Sequence, residues 1–247
     1  MKGVVIKKIE LEEKGRILYV LTENGIVKIS ARGAKKPTSK NNPAAEMFSY
    51  AEFSVSEGKD RLYLDSSKPL KIFWNIRTDI KKLALAAYFA EVLFYCGISD
   101  KGEEKSARFA GDCKDELKTF LLALDCLDKD NRTEAFIKAV FEMRTACAIG
   151  FLPDLIGCAE CYRYSGGMNF DIANGQLFCK EHNKNGTAIS ESLLDTLRFV
   201  CLSPVEKIMS FKIGEKTQKE FSRLAENYLI YHLEKKFKTL GYYRSLR

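Results

Sequence analysis

A chain of 247 residues with 46% hydrophobic and 30% charged side chains holds enough apolar material for one large packed domain or two to three small ones. No apolar run reaches the length of about 18 residues that a membrane-spanning helix needs, since the longest, Leu83 to Cys96, is interrupted by Glu91. The net charge of +7 favours a polyanionic partner, and the absence of a GxxxxGK[ST] loop argues against ATP hydrolysis by this chain. The opening MKGVVIKKIE is a strand pattern without a signal-peptide apolar region, so a cytoplasmic protein is expected.

The N-terminal part reads as short strands. Val4-Val5-Ile6 is the first, and Arg16 to Thr22 alternates with the period of two that marks a half-buried strand. Glu23-Asn24-Gly25 predicts a hairpin turn of type I′, in which Asn-Gly supplies positive φ, and Ile26 to Ala31 is the return strand. Ala51 to Ser56 and Arg61 to Asp65 form a further pair around Gly58. Five such strands fit a small closed barrel of the OB type; strand counting alone leaves an SH3-like barrel open. Between the third and fourth strands, Arg32 to Asn42 carries four positive residues and no acid. A run of this kind is either a solvated loop or a flexible contact for a phosphate backbone. Residues 1–74 hold 14 Lys and Arg against 9 Asp and Glu, so most of the excess charge lies there. Arg32, Lys35, Lys36 and Lys40 are the candidate phosphate contacts, with Lys7, Lys8 and Arg16 as weaker ones. Tyr19, Phe48, Tyr50 and Phe53 either stack bases or fill the barrel.

After Phe73-Trp74 the pattern becomes helical. Asp79 to Cys96 is apolar nearly all round, as in a buried helix, and Gly97 is placed to end it. Glu116 to Leu127 and Thr133 to Gly150 are amphipathic, the latter aligning Phe136, Val140, Met143 and Cys147. Arg144, inside that apolar stretch, is either a partner contact or an internally paired arginine. Ser190 is a plausible N-cap for Glu191 to Leu202, which Ser203-Pro204 terminates. A last helix, Thr217 to Leu240, places Phe221, Leu224, Tyr228 and Tyr231 on one stripe. Lys235, Lys236, Lys238, Arg244 and Arg247 form a second basic cluster, either a further phosphate contact or an exposed helix end whose charge suits the helix dipole.

The strongest local signal lies between these helices. Cys158-x-x-Cys161 is answered, after the 17 residues from Tyr162 to Phe178, by Cys179-x-x-His182. Two tight knuckles of this spacing bring three thiolates and an imidazole onto one Zn²⁺. The intervening Gly166-Gly167 and Asn174-Gly175 provide the turns of a small hairpin that carries the second knuckle. Four protein ligands close the coordination shell, so the ion is expected to be structural; a catalytic zinc keeps a position for water. The competing readings are four ordinary residues or a disulfide framework, and the latter needs an oxidising compartment. Cys96, Cys126, Cys147 and Cys201 fall in apolar helical runs, where cysteine serves as a small core residue, and Cys113 has no assignment.

Phe141-Glu142-Met143-Arg144, then Gly150, Pro153-Asp154-Leu155 and Cys158-x-x-Cys161, with Phe170, Gly175 and Cys179 following, resemble the bacterial RecO family of recombination mediators. The likeness extends to the N-terminal strands, to Ala31-Arg32-Gly33-Ala34-Lys35-Lys36 and to Tyr88 and Glu91, in the same order along essentially the whole chain. It implies a multidomain α+β protein: an OB-fold barrel over 1–74, a helical domain over 75–157 and 183–247, and an embedded zinc finger over 158–182. It also implies a nucleoid-associated, non-enzymatic function. Members of this family bind single- and double-stranded DNA and anneal complementary strands. With RecR they load recombinase onto DNA coated by single-stranded-DNA-binding protein (SSB), whose acidic C-terminal tail is a partner. His182 stands where zinc-binding members often present a fourth cysteine, and members without the ligands exist, which again points to a structural ion. Two other classes remain in view. One is an RNA-binding factor built on a barrel and a zinc ribbon. The other is a zinc nuclease, weakened by the closed ligand set and by the presence of only two histidines, His182 and His232.

Overall fold

The computed structural model describes residues 1–11, 15–32, 39–59, 61–97, 112–182 and 186–246. Five strands open the chain: β1 (Lys2–Glu10), β2 (Gly15–Thr22), β3 (Gly25–Arg32), β4 (Tyr50–Glu57) and β5 (Leu62–Lys71). They close into a barrel in the order β1-β2-β3-β5-β4, antiparallel except where β3 meets β5. This is the OB arrangement. Alternation along the strands turns Val5, Leu18, Val20, Ile29, Ala31, Ala51 and Phe53 inward, where Ala44 and Ala45 from the β3–β4 connection join them. Phe48 and Phe53, weighed above as base-stacking residues, are about fully buried at 2% and 1% exposure. They are core.

The β2–β3 turn departs from the expected type. Thr22 pairs with Gly25 across a two-residue turn, and the positive φ falls on Gly25 (109°), not on Asn24. The Thr22 hydroxyl accepts from the Asn24 amide and donates to the Gly25 carbonyl, which supplies the local support a type I′ turn would otherwise have given.

The same compact unit contains helices α1 (Trp74–Thr78), α2 (Ile80–Gly97), α3 (Lys114–Lys129) and the C-terminal α7 (Lys238–Ser245). Asp79 starts α2 by accepting from the Lys81 and Lys82 amides. Phe94 of α2 meets Tyr19 of the barrel edge-on at 5.0 Å, and the Phe237 ring beside α7 packs on Tyr88 and Tyr95.

The second unit spans Asp130–Lys236. It holds α4 (Glu134–Ala148), a four-stranded sheet of β6 (Asp154–Cys158), β7 (Met168–Asp171), β8 (Gln176–Cys179) and β9 (Thr187–Ile189) in the order β6-β8-β7-β9, then α5 (Glu191–Leu202) and α6 (Glu215–Leu233). Thr133 and Ser190 cap α4 and α5 by accepting from the amides three residues on. Inside this unit Lys138 is 2% exposed and bridges Glu142 at 2.8 Å and Glu226 at 2.6 Å, a buried charge that is held only because it is paired. The single long helix expected from Thr217 to Leu240 is instead two. Glu234 adopts the left-handed conformation (φ 50°) and ends α6, although no Gly or Pro marks the place. Tyr231 leaves the buried stripe and is 54% exposed. Among the described residues no helix is long and apolar enough to cross a membrane.

Candidate metal centre and nucleic-acid interface

Strand pairing builds the Cys and His cluster. Cys158 is the last residue of β6 and Cys179 the last of β8, and these two strands run parallel with Cys158 beside Leu177. Each chain then folds back on itself. In the first knuckle the Tyr162 amide donates to the Cys158 carbonyl (2.8 Å) and the Cys158 amide to the Arg163 carbonyl (2.9 Å); in the second the His182 amide donates to the Cys179 carbonyl (3.1 Å). Tyr162 takes a positive φ of 59° to make the first turn. Gly157 is required beneath it, since a Cβ there would lie 2.8 Å from the Arg163 carbonyl. Asp171 shapes the hairpin that leads to Cys179 by accepting from the Ala173 and Asn174 amides, and Gly175 closes it at φ 63°.

The four ligand atoms lie within 4.8 Å of one another. Around a tetrahedral zinc, sulfurs at about 2.3 Å stand about 3.8 Å apart, and a sulfur and a nitrogen about 3.5 Å apart. Cys161 Sγ and Cys179 Sγ are separated by 3.8 Å, while His182 Nδ1 is 3.6 Å from Cys158 Sγ and 3.2 Å from Cys179 Sγ. The cluster therefore has the dimensions of a metal centre. Burial works against a thiolate at Cys158, but backbone hydrogen bonds from Cys179, Cys161 and Glu160 and the contact with His182 outweigh it, bringing the thiol down to about 6. Contacts with Cys158 and Cys179 hold His182 above its ordinary value. No two of the eight cysteines are joined in a disulfide. Among the described residues no second group of metal-ligating side chains comes together.

Arg198 of α5 fastens this module, a role with no signal in the sequence. Its guanidinium donates to the carbonyls of Leu155 (2.9 Å), Ile156 (3.2 Å) and Tyr164 (3.0 Å) and stacks 3.9 Å from the Tyr164 ring. Arg144 resolves in the same sense. Its Nη1 reaches the carbonyls of Val200, Cys201 and Ser203 at 3.2–3.3 Å, so it caps the C-terminal end of α5.

The candidate phosphate contacts divide by their surroundings. Arg16 is 7% exposed and fixed by Glu10 (3.0 Å), Glu46 (2.8 Å) and Asn42 (2.9 Å). Lys8 is paired with Glu46 (2.7 Å) and Glu10 (3.3 Å). Lys7 lies over the rings of Phe94 (3.9 Å) and Tyr19 (5.6 Å). These three brace the barrel. Arg32 and Lys40 carry exposed side chains, and Arg32 lies 4.8 Å over the Tyr63 ring, a partner that sequence reading missed. Lys35 and Lys36 lie outside the described residues. An arginine stacked on a tyrosine at the edge of an OB barrel presents both a cation for phosphate and a planar face for a base.

Residues 1–73 match the family model described as Recombination protein O N terminal, and residues 115–241 match Recombination protein O C terminal. The chain belongs to the RecO family. Among similar proteins, the DNA repair protein RecO of Acetivibrio thermocellus is 26% identical over 249 residues, covering 99% of this chain and 95% of the relative. That of Desulforamulus reducens is 27% identical, covering 97% and 91%. That of Dehalococcoides mccartyi strain 195 is 27% identical, covering 99% and 94%. The family match spans both the barrel and the RecO helical part with its Cys and His cluster, so the chain is a DNA repair and recombination protein.

Proposed function

We propose that this protein is a recombination mediator that binds single- and double-stranded DNA and anneals complementary strands. With RecR, it would help load recombinase onto strands coated by SSB. The observation that carries the reading is the RecO match over an OB barrel on which Arg32 stacks on Tyr63 beside a basic, acid-free connection. Annealing follows from charge. Each cation that meets a phosphate lowers the repulsion between two backbones, and release of counterions supplies the free energy. No reacting group is required of the protein, and the reading assigns it no chemical step. Arg32, Lys35, Lys36 and Lys40 form the main contact in this reading, with Lys7, Lys8 and Arg16 holding the surface that presents them.

The Cys158, Cys161, Cys179 and His182 set would hold one structural Zn²⁺. Distances close to those of a tetrahedral shell support that identity, and with four protein ligands the ion keeps no position for substrate. For the SSB tail, an acidic peptide with an apolar tip calls for an apolar hollow with a cationic rim. A cavity of about 170 Å³ lined by Phe170, Ile172, Ile189, Leu193 and Leu224 supplies the apolar part, but its rim carries Glu220 as well as Arg223, so its charge does not select an acidic tail.

The test is an annealing assay on complementary strands coated with SSB, with and without RecR. Acceleration by the protein that persists without nucleotide or divalent cation supports the reading. Strand cleavage, or preference for RNA over single-stranded DNA in competition, would replace it with the nuclease or RNA-binding alternatives.

A further inference from the structure

Trp74 is the only tryptophan of the chain and is 63% exposed, at the point where β5 leaves the barrel. A tryptophan normally contributes its large apolar surface to a core or an interface. This one is held outward. The Arg77 guanidinium lies 5.6 Å from its ring and is itself fixed, donating to the Met47 carbonyl (3.1 Å) and to Ser49 Oγ (2.8 Å). Ser49 is fully buried and donates in turn to the Pro43 carbonyl, so the guanidinium is anchored in the barrel wall. Leu70 (42%) and Ile80 (52%), on either side in sequence, are also exposed.

The charge around this aromatic is positive. Residues 68–82 carry Lys68, Lys71, Arg77, Lys81 and Lys82 against Asp79 alone. Lys82 is buried and Lys71 pairs with Asp125, which leaves Lys68 and Lys81 exposed. The nearby acids of α3 are already engaged: Asp125 by Lys71 and Lys129, Asp128 by the amide and side chain of Asn75. An anchored arginine against one face of an exposed indole, with exposed lysines nearby in the sequence, is the chemistry that receives an unstacked base and its phosphate.

We propose that Trp74, positioned by Arg77, is a second base-stacking contact for single-stranded nucleic acid, at the other end of β5 from the Arg32–Tyr63 pair. The inference rests on the DNA-binding reading above and adds a site to it. Trp74 lies eleven positions after Tyr63, so the chain sets their separation at no more than about 36 Å. A strand following β5 would meet an arginine-backed aromatic at each end.

The lone tryptophan makes the test direct. An unlabelled oligothymidylate is titrated while Trp74 emission is followed, and the same oligonucleotide carrying a dye is followed by anisotropy. Saturable quenching with the same midpoint as the anisotropy change is expected. Trp74→Ala weakens binding by about 5- to 150-fold, the range that corresponds to stacking of one base, and Trp74→Phe restores most of it. The slope against log salt and the melting temperature stay at wild-type values, because an exposed, uncharged side chain is removed. Labelled DNA that binds with no change in tryptophan emission, and a Trp74→Ala protein of undiminished affinity, overturn the site while the DNA-binding function stands. Failure to bind the oligonucleotide at low salt overturns both.

Discussion

Replacing Arg144 by Met removes a single group that answers three carbonyls at the end of α5. Hydrogen bonds from a charged donor contribute about 1.5–3 kcal/mol, and a cation at a helix C-terminus roughly 0.3–1 kcal/mol more. All three bonds come from one nitrogen at 3.2–3.3 Å, which is long, so they do not add fully. A net loss of about 2–3 kcal/mol is expected. For a protein of this size that lowers the melting temperature by about 4–12 °C. Urea unfolding followed by circular dichroism measures it, with Arg144→Lys as the variant that keeps the charge and loses less. DNA affinity of the folded variant should equal that of wild type, since the side chain is spent inside the fold. A stability change under about 0.5 kcal/mol, or a specific loss of DNA or RecR binding, would show that Arg144 serves a partner instead.

Protein purified without chelators should contain one zinc per chain by elemental analysis, and Cys158→Ser should lose both the metal and stability; an unchanged melting curve in chelator contradicts the structural role, whose scale is about 10–16 kcal/mol in small zinc modules. Lys138→Met strands the Glu142 and Glu226 carboxylates and should cost about 3–5 kcal/mol in denaturant unfolding. Glu46 tests the barrel brace by pH. Burial raises its carboxyl, but Lys8 and Arg16 outweigh that and hold it below the ordinary 4.5. The unfolded chain thus binds the proton first, and the stability Glu46 contributes above pH 4.5 is lost as pH falls below that value. The difference in stability between wild type and Glu46→Gln should shrink over that acid window, and a constant difference would refute the ion-pair account. Replacing Arg32, Lys35, Lys36 and Lys40 together by Ala should weaken single-strand binding and flatten its salt dependence without lowering the melting temperature; unchanged affinity removes them from the interface.

Local signals were legible where one residue type settles a backbone problem. Ser190 caps α5 as its sequence position indicated, its side chain answering an amide three residues on, and the helix expected to begin at Thr133 does so with Thr133 as its cap. The two knuckles and the Asn174-Gly175 turn state the Cys and His cluster outright, because the spacing of the four side chains fixes where the chain must fold back. Long-range pairing was not legible. Arg16 looked like a surface cation, yet it is buried, and one of its carboxylate partners, Glu46, is 30 residues away. The break at Glu234 lies in a run of good helix formers, Glu234-Lys235-Lys236, and nothing local stops the helix. Downstream, Phe237 packs on Tyr88 and Tyr95 and Thr239 hydrogen-bonds Glu91, contacts that win over propensity and that no window of sequence displays. Trp74 was read only as the end of the barrel, since exposure is a property of the assembled surface.

The central claim is that this protein handles nucleic acid by cancelling backbone charge. Equilibrium binding of the wild-type chain to single-stranded DNA, measured across ionic strength, tests it most directly. Neutralisation of about four phosphates gives a slope near −3 for log affinity against log salt, at about −0.7 per contact. A slope near zero, or no binding at low ionic strength, would contradict it.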